Sequence, residues 1–244
     1  MHRCFIDSGN WNDREMVLSE GERHHLLRVL RAKSGDKVTV FDGGGREADA
    51  VLLDSSDAKL AVKSSDFHPR PSPELILFQA VPKGKRMDFV IEKSTELGVR
   101  SIVPMSTERG VVRLSSGQKE SHLERWKRIA VSSAKQCGTR WVPDIQQVLD
   151  FSSAMTLAGR YDLLFIGSLE KGADLFARAL EKSDFSKAKS IGLIIGPEGD
   201  FTREEIRSTV SAGAVPVSFG DLVLRVETAA LYGLSVLSYE LTRV

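Results

Sequence analysis

The sequence predicts an α/β protein in two parts, and three observations predict it. A proline-rich break, Phe67-His-Pro-Arg-Pro-Ser-Pro73, divides the chain. Short strand-like runs crowd the part before it. After it, apolar runs of strand length alternate with segments of helical periodicity, the pattern of a parallel sheet covered on both faces. Closely spaced prolines favour an extended linker and disfavour helix, so the parts are taken as 1–70 and 74–244.

In the first part Cys4–Ile6 reads as a strand. Ser19-Glu-Gly-Glu22 has the spacing of a capping box and opens a helix through Leu30. Lys37–Phe41, Glu47–Leu53 and Lys59–Lys63 read as strands, with Asp42-Gly-Gly-Gly45 as the first turn. Short strands with one helix predict a small β-barrel-like domain.

In the second part Leu75–Ala80 is a strand. Met87, Val90, Ile91, Ser94 and Leu97 then mark one face of a helix that stops at Gly98. Ile102–Met105 is the next strand, and Leu123, Trp126, Ile129, Ala130 and Ala134 mark a helix stopping at Gly138. Tyr161–Ile166, Ile191–Ile195 and Val215–Phe219 are further strands. Helices are expected near Ala173–Glu181 and from a capping box at Thr202 and Glu205 to about Ala212. A last apolar helix near Thr228–Leu241 is too short to span a bilayer. Gly84, Gly167, Gly196 and Gly220 each follow a strand, which places them on one sheet edge, where ligands of such folds bind.

Charge limits the partners. With 34 Lys and Arg against 33 Asp and Glu, no global field announces a polyanion. Between Lys83 and Arg140 the balance is 13 against 6, a local excess that suits either a polyanion-facing surface or solvated helix faces. Two cysteines support neither a disulfide framework nor a four-ligand zinc site, and Cys137 is expected to be a small buried hydrophobe. Adjacent His24 and His25 point apart on a helix with no third ligand near, so no metal is expected. The opening Met1-His-Arg-Cys-Phe-Ile-Asp7 lacks the apolar run of a signal peptide, and a soluble cytoplasmic protein without a membrane segment is expected. No Ser-His-Asp order is present, and carboxylates such as Asp162 and Glu170 share no strand-end context, so nothing argues for a hydrolase.

Two greasy strands end in glycine loops, Ser190-Ile-Gly-Leu-Ile-Ile-Gly-Pro-Glu-Gly199 and Val215-Pro-Val-Ser-Phe-Gly-Asp-Leu-Val-Leu-Arg225. The first is neither a dinucleotide fingerprint nor a phosphate-binding P-loop, and alone it also reads as a plain turn. The second puts Leu222, Val223 and Leu224 where a surface loop is usually polar. Together they suggest a backbone-lined pocket for a flat, uncharged, purine-containing ligand. Lys83, Lys85 and Arg86 crowd a helix N-terminus, where they suit a phosphate neighbour or a solvated turn. His24, Arg28 and Arg31 share a helix face that is either a plain charged surface or a second phosphate grip.

Four ordered segments carry a family resemblance. Lys83-Gly-Lys-Arg-Met-Asp-Phe-Val-Ile-Glu-Lys-Ser-Thr-Glu-Leu-Gly-Val99, Arg125-Trp-Lys-Arg-Ile-Ala with Gln136-Cys-Gly138, Leu193-Ile-Ile-Gly-Pro-Glu-Gly199 and Val223-Leu-Arg-Val-Glu-Thr-Ala229 resemble the RsmE-type ribosomal RNA small subunit methyltransferases of the SPOUT class. His24-His-Leu-Leu-Arg-Val-Leu-Arg31 with Gly35-Asp36 is similar to that family's N-terminal module, so the resemblance covers nearly the whole chain.

The resemblance implies a PUA-like β-barrel followed by a SPOUT-type parallel α/β domain with a deep trefoil knot. It implies a homodimer that binds S-adenosyl-L-methionine and methylates N3 of a uridine in 16S ribosomal RNA of the small ribosomal subunit. Carried over by position, the cofactor site uses Ile166, Gly167, Ile195, Gly196, Pro197, Glu198, Gly199, Phe219, Gly220, Leu222, Val223, Leu224 and Thr228. The catalytic candidates are Arg225, to stabilise the uridine anion, and Glu198, to accept its proton. RNA contacts are expected at Arg3, His24, Arg28, Arg31, Lys83, Lys85, Arg86, Arg109 and Arg113. The chain departs from the family pattern at Asp200, where a glycine is usual, at Asp221-Leu222, where Pro-Arg is usual, and at Val226, where Thr is frequent.

Overall fold

The computed structural model describes residues 2–54 and 57–242. The chain divides into two units, Met1–Arg70 with Val131–Val142, and Pro71–Ala130 with Pro143–Val244. The change falls at the proline-rich segment. The addition of Val131–Val142 to the first unit is invisible to a boundary sought along the chain.

The first unit contains β1 (His2–Phe5), β2 (Glu15–Val17), α1 (Glu20–His24), β3 (Lys37–Phe41), β4 (Arg46–Asp54) and β5 (Lys59–Phe67). Its strands pair in the order β1-β3-β4-β5-β2, parallel between β1 and β3 and antiparallel elsewhere. Register shifts at Asp49/Ala50 and Leu52/Asp54 bend the longest pair, as β-bulges do. Alternate residues Val38, Val40, Ala48, Ala50 and Leu52 are buried with Met16, Leu26 and Leu60. Gly45, at φ +104, lies where a Cβ would come within 2.4 Å of the Trp141 ring, so only glycine lets Trp141 seat there.

Three local expectations for this unit change. Ser19 accepts from the Glu22 N–H, but the Glu22 carboxylate takes Lys135 Nζ (2.7 and 2.9 Å) and the Phe5 N–H instead of closing a capping box. The helix also stops being α at His25. Residues His25–Val29 form a π-helical turn, and Arg31 lies past its end at φ 55. His24, Arg28 and Arg31 therefore do not keep the phase of one α-helical face. Cys137 is exposed, since it ends its helix, whereas Cys4 is buried and its thiol is pushed up to about 12 by burial and by Glu22.

The second unit follows as β6 (Glu74–Ala80), α2 (Arg86–Glu96), β7 (Ser101–Ser106), α3 (Ser116–Cys137), β8 (Asp144–Ile145), β9 (Leu149–Asp150), α4 (Phe151–Ala158), β10 (Leu163–Gly167), β11 (Asp174–Leu175), α5 (Phe176–Glu181), β12 (Ser190–Ile195), α6 (Arg203–Ser211), β13 (Val215–Ser218) and α7 (Val226–Leu241). From Val131 onward α3 belongs to the first unit. The strands run β11-β13-β10-β12-β6-β7-β8, with β9 also on β7, and every pairing is parallel. The expected helix from Ala173 begins only at Phe176, because Asp174 and Leu175 pair with β13 first.

Buried runs such as Leu75-Ile-Leu-Phe78 face helices on both sides of the sheet. Ile76, Phe78, Leu164, Ile166 and Ile194 pack with α4 and α6. On the other face Phe165 meets Phe176 of α5, and Gly233 of α7 rests on Leu193, where a Cβ would come within 2.7 Å. Among the described residues no helix is long and apolar enough to cross a membrane.

Candidate active site

The parallel order β13-β10-β12 brings three strand ends side by side. Their loops enclose a cavity of about 380 Å³, within the size range of small-molecule sites. The end of β10 contributes Gly167 and the loop after it Ser168 and Leu169. The loop after β12 contributes Gly196, Pro197, Glu198 and Asp200, beyond Ile195. The end of β13 contributes Ser218, the loop after it Phe219, Gly220 and Leu222 through Arg225, and α7 adds Val226 and Ala229. Arg86, at the start of α2, completes the wall.

Space is tight where these loops crowd aromatic rings. A Cβ on Gly167 would come within 3.1 Å of the Phe219 ring, and one on Gly196 within 3.0 Å of the Phe201 ring. Phe219 is itself wedged between Phe176 and Tyr232, with ring centroids 5.4 Å from each. Main-chain groups and apolar side chains make most of the wall, with Arg86 and Arg225 balanced by Glu198 and Asp200, which fits a ligand with a flat apolar part better than a polyphosphate. Asp200 stands at φ 59 where the family pattern has glycine. Aspartate tolerates this left-handed geometry better than most residues, and its carboxylate here accepts from the Phe201 N–H at 2.8 Å.

Glu198 Oε1 accepts from Arg86 Nη1 at 2.6 Å and from the Lys83 N–H at 3.1 Å. Arg86 Nε also lies 3.8 Å from Glu227, so one guanidinium stands between two carboxylates. Burial pushes the Glu198 carboxyl up, but its own and the Lys83 backbone N–H groups, with the Arg86 and Lys83 charges, outweigh that and hold it below the usual range. A depressed carboxyl adds stability above its unfolded value of about 4.3 and loses it as pH falls through the folded value. Thermal melts of the unaltered chain are therefore expected to fall more steeply below about pH 4 than those of Glu198→Gln. Parallel curves would contradict the bridge.

Arg225 differs from Arg86. It is the N-cap residue of α7 and lines the cavity; its carbonyl accepts from the Ala229 N–H, and its guanidinium makes no hydrogen bond or ion pair among the described residues. Of the other expected cofactor residues, Ile166 lies wholly in the core, one position too early in β10, and Thr228 is exposed on α7 away from the wall. Gly199 is off the wall as well, packed on the Arg109 stem.

The expected RNA contacts divide in two. His24, Arg28, Arg31, Lys83 and Lys85 are exposed, and their side chains make no hydrogen bond or ion pair among the described residues. The remaining four guanidinium groups have protein partners. Arg3 holds Glu47 and the Thr139 carbonyl, Arg86 holds Glu198, Arg109 holds the carbonyls of Gly199 and Phe201, and Arg113 those of Thr107 and Glu108. Ser168, Leu169, Ser218 and Ala229 were not anticipated in the wall. Leu169 carries a usable sequence signal, an apolar residue two past a strand-end glycine, and the structure leaves it exposed. Among the described residues no three His, Cys, Asp or Glu side chains gather as a metal site.

Comparison with known proteins agrees with this layout. The RNA methyltransferase domain family matches residues 69–238, and the RNA methyltransferase PUA domain family matches residues 18–63. The chain is 29% identical to ribosomal RNA small subunit methyltransferase E of Bacillus subtilis, across 98% of this chain and 97% of that one. A methyltransferase of Legionella pneumophila, solved with S-adenosylmethionine bound, superposes with a TM-score of 0.87 at 31% identity, covering 98% of this chain and 97% of that one. Ribosomal RNA small subunit methyltransferase E of Neisseria gonorrhoeae, also solved with S-adenosylmethionine, gives 0.85 at 29% identity over 98% of both. A PUA-like unit, a parallel α/β unit and a glycine-walled cavity at the strand ends thus occur together with matches along the whole length, and the chain belongs to the ribosomal RNA small subunit methyltransferase E family of RNA methyltransferases.

Proposed function

We propose that this protein transfers a methyl group from S-adenosylmethionine to N3 of a uridine in 16S ribosomal RNA. The observation that carries this reading is the strand-end cavity, walled by glycine loops and apolar side chains and bordered by a guanidinium with no partner among the described residues. The resemblance of the sequence motifs supports the choice of uridine and of RNA. When bound, S-adenosylmethionine supplies an electrophilic methyl group on sulfur.

Loss of the N3 proton to water leaves negative charge on the uracil, and the ring nitrogen then attacks the methyl carbon, whose bond to sulfur breaks. Arg225 stabilises that charge from the cavity wall. Glu198 at neutral pH is an ionised group already accepting two hydrogen bonds, so its role here is to hold two loops together. It accepts the proton only if Arg86 releases it. Pro197 and Leu224 give the cavity apolar lining, and the target base leaves its stack to enter. Lys83, Lys85, His24, Arg28 and Arg31 contact phosphates, so binding should weaken steeply with salt.

A homodimer belongs to this reading, supported by the exposure of Leu222, Val223, Tyr232 and Tyr239. So do the trefoil threading of the chain and a cytoplasmic site of action on the small subunit. Nucleoside mass spectrometry of ribosomal RNA from cells with and without the gene tests the reaction. Loss of 3-methyluridine from the small-subunit RNA is expected. Loss of a tRNA or ribose methylation would move the activity to another RNA, and no loss at all would leave a binding protein.

A further inference from the structure

Between β7 and α3 runs Glu108-Arg-Gly-Val-Val-Arg113, whose side chains have no part in the chemistry above. We propose that Arg109 is a positioning residue, one that holds the Gly196–Phe201 loop in the shape that makes the cavity wall. The proposal rests on the reading of that cavity as the cofactor site.

Arg109 Nη1 donates to the carbonyl oxygens of Gly199 (3.3 Å) and Phe201 (3.1 Å). These flank Asp200, the left-handed residue of the loop, so one guanidinium nitrogen fixes both peptides around the turn. The fit is close: a Cβ on Gly199 would sit 3.3 Å from the Arg109 Cβ. A second tie runs alongside. Glu205, 7% exposed, accepts from the Glu108 N–H at 2.8 Å with one oxygen and from the Thr202 N–H at 2.9 Å with the other. Arg113 bonds the Thr107 and Glu108 carbonyls and so stiffens the turn that presents Arg109.

The loop held this way supplies Pro197, Glu198 and Asp200 to the wall. Without Arg109 its two carbonyls turn to water and the loop samples other shapes. Apparent cofactor affinity then falls by the fraction of time the binding shape is lost, while chemistry on the loaded site is little altered. A residue that serves mainly an RNA phosphate behaves in the opposite way: RNA affinity and its salt slope fall, and cofactor affinity stays.

The test is calorimetric titration of Arg109→Ala and Arg109→Lys with S-adenosylhomocysteine, alongside methyl-transfer kinetics and RNA binding. For Arg109→Ala the Kd and the KM for S-adenosylmethionine are expected to rise about tenfold, with kcat at saturating cofactor and RNA affinity within about threefold. Arg109→Lys, able to reach one carbonyl, is expected to recover part of the loss, and it carries the test if the alanine variant does not fold. Cofactor affinity within about twofold of the unaltered protein would overturn the proposal, as would weakened RNA binding with intact cofactor binding. If the unaltered protein takes up no S-adenosylhomocysteine, the cofactor reading itself fails, and this proposal with it.

Discussion

Arg225→Ala is expected to lower turnover at least about tenfold while S-adenosylhomocysteine affinity stays within about twofold. The two effects separate because of where Arg225 sits. Its backbone, at φ −64 and ψ 154, leaves the loop extended, and its side chain caps no helix N–H. Removing the guanidinium therefore disturbs neither α7 nor the loop. On the proposed reaction, what is lost is a cation beside the place where negative charge would develop. One donor aimed at such a charge in a buried site is typically worth about 10²–10³ in rate, and the exposure of Arg225 lowers the expectation. Arg225→Lys keeps the charge but not the planar fork and should fall between the two. Unchanged kcat in the alanine variant would remove Arg225 from the reaction.

The second large effect is expected at Gly196. A valine there would press on the Phe201 ring, already 3.0–3.4 Å from a bare Cβ position. Phe201 is 2% exposed, packed among Phe151 and the α4–α6 side of the sheet, so the ring has no room to retreat. The loop must move instead, and with it Pro197 and Glu198. Overpacking of this kind costs about 1–3 kcal/mol, and a hundredfold change in affinity corresponds to about 2.7 kcal/mol. Gly196→Val is thus expected to raise the Kd for S-adenosylhomocysteine by up to about a hundredfold, and Gly196→Ala by less. Binding by the valine variant within about threefold of the unaltered protein would mean that the loop is not part of the ligand wall.

The sheet and its ligand edge are legible in the sequence because they rest on local rules. Short, β-branched apolar runs such as Ile191–Ile195, bounded by glycine, read as strands covered on both faces, and the glycines that follow them mark the edge. The Thr202–Glu205 capping box appears with both of its hydrogen bonds, since its two members lie within one helical turn. Where a partner lies far along the chain, the letters are silent. Arg28 and Arg109 read alike, yet only Arg109 meets carbonyls 90 residues away. Glu22 has the capping spacing, but Lys135 claims its carboxylate. Strands of two residues, such as β8, β9 and β11, are too short to show any periodicity. Helix α4 did carry a signal: Asp150 caps it by accepting from the Ser153 N–H, and that spacing was open to reading.

The main-chain cradle at the ends of β10, β12 and β13 is the claim on which the rest depends. Its most direct test is a calorimetric titration of the full chain with S-adenosylhomocysteine, run beside the Gly196→Val variant. Saturable binding to the unaltered chain, weakened or lost in the variant, is the predicted result. No heat from the unaltered chain, or equal binding by both, would contradict it.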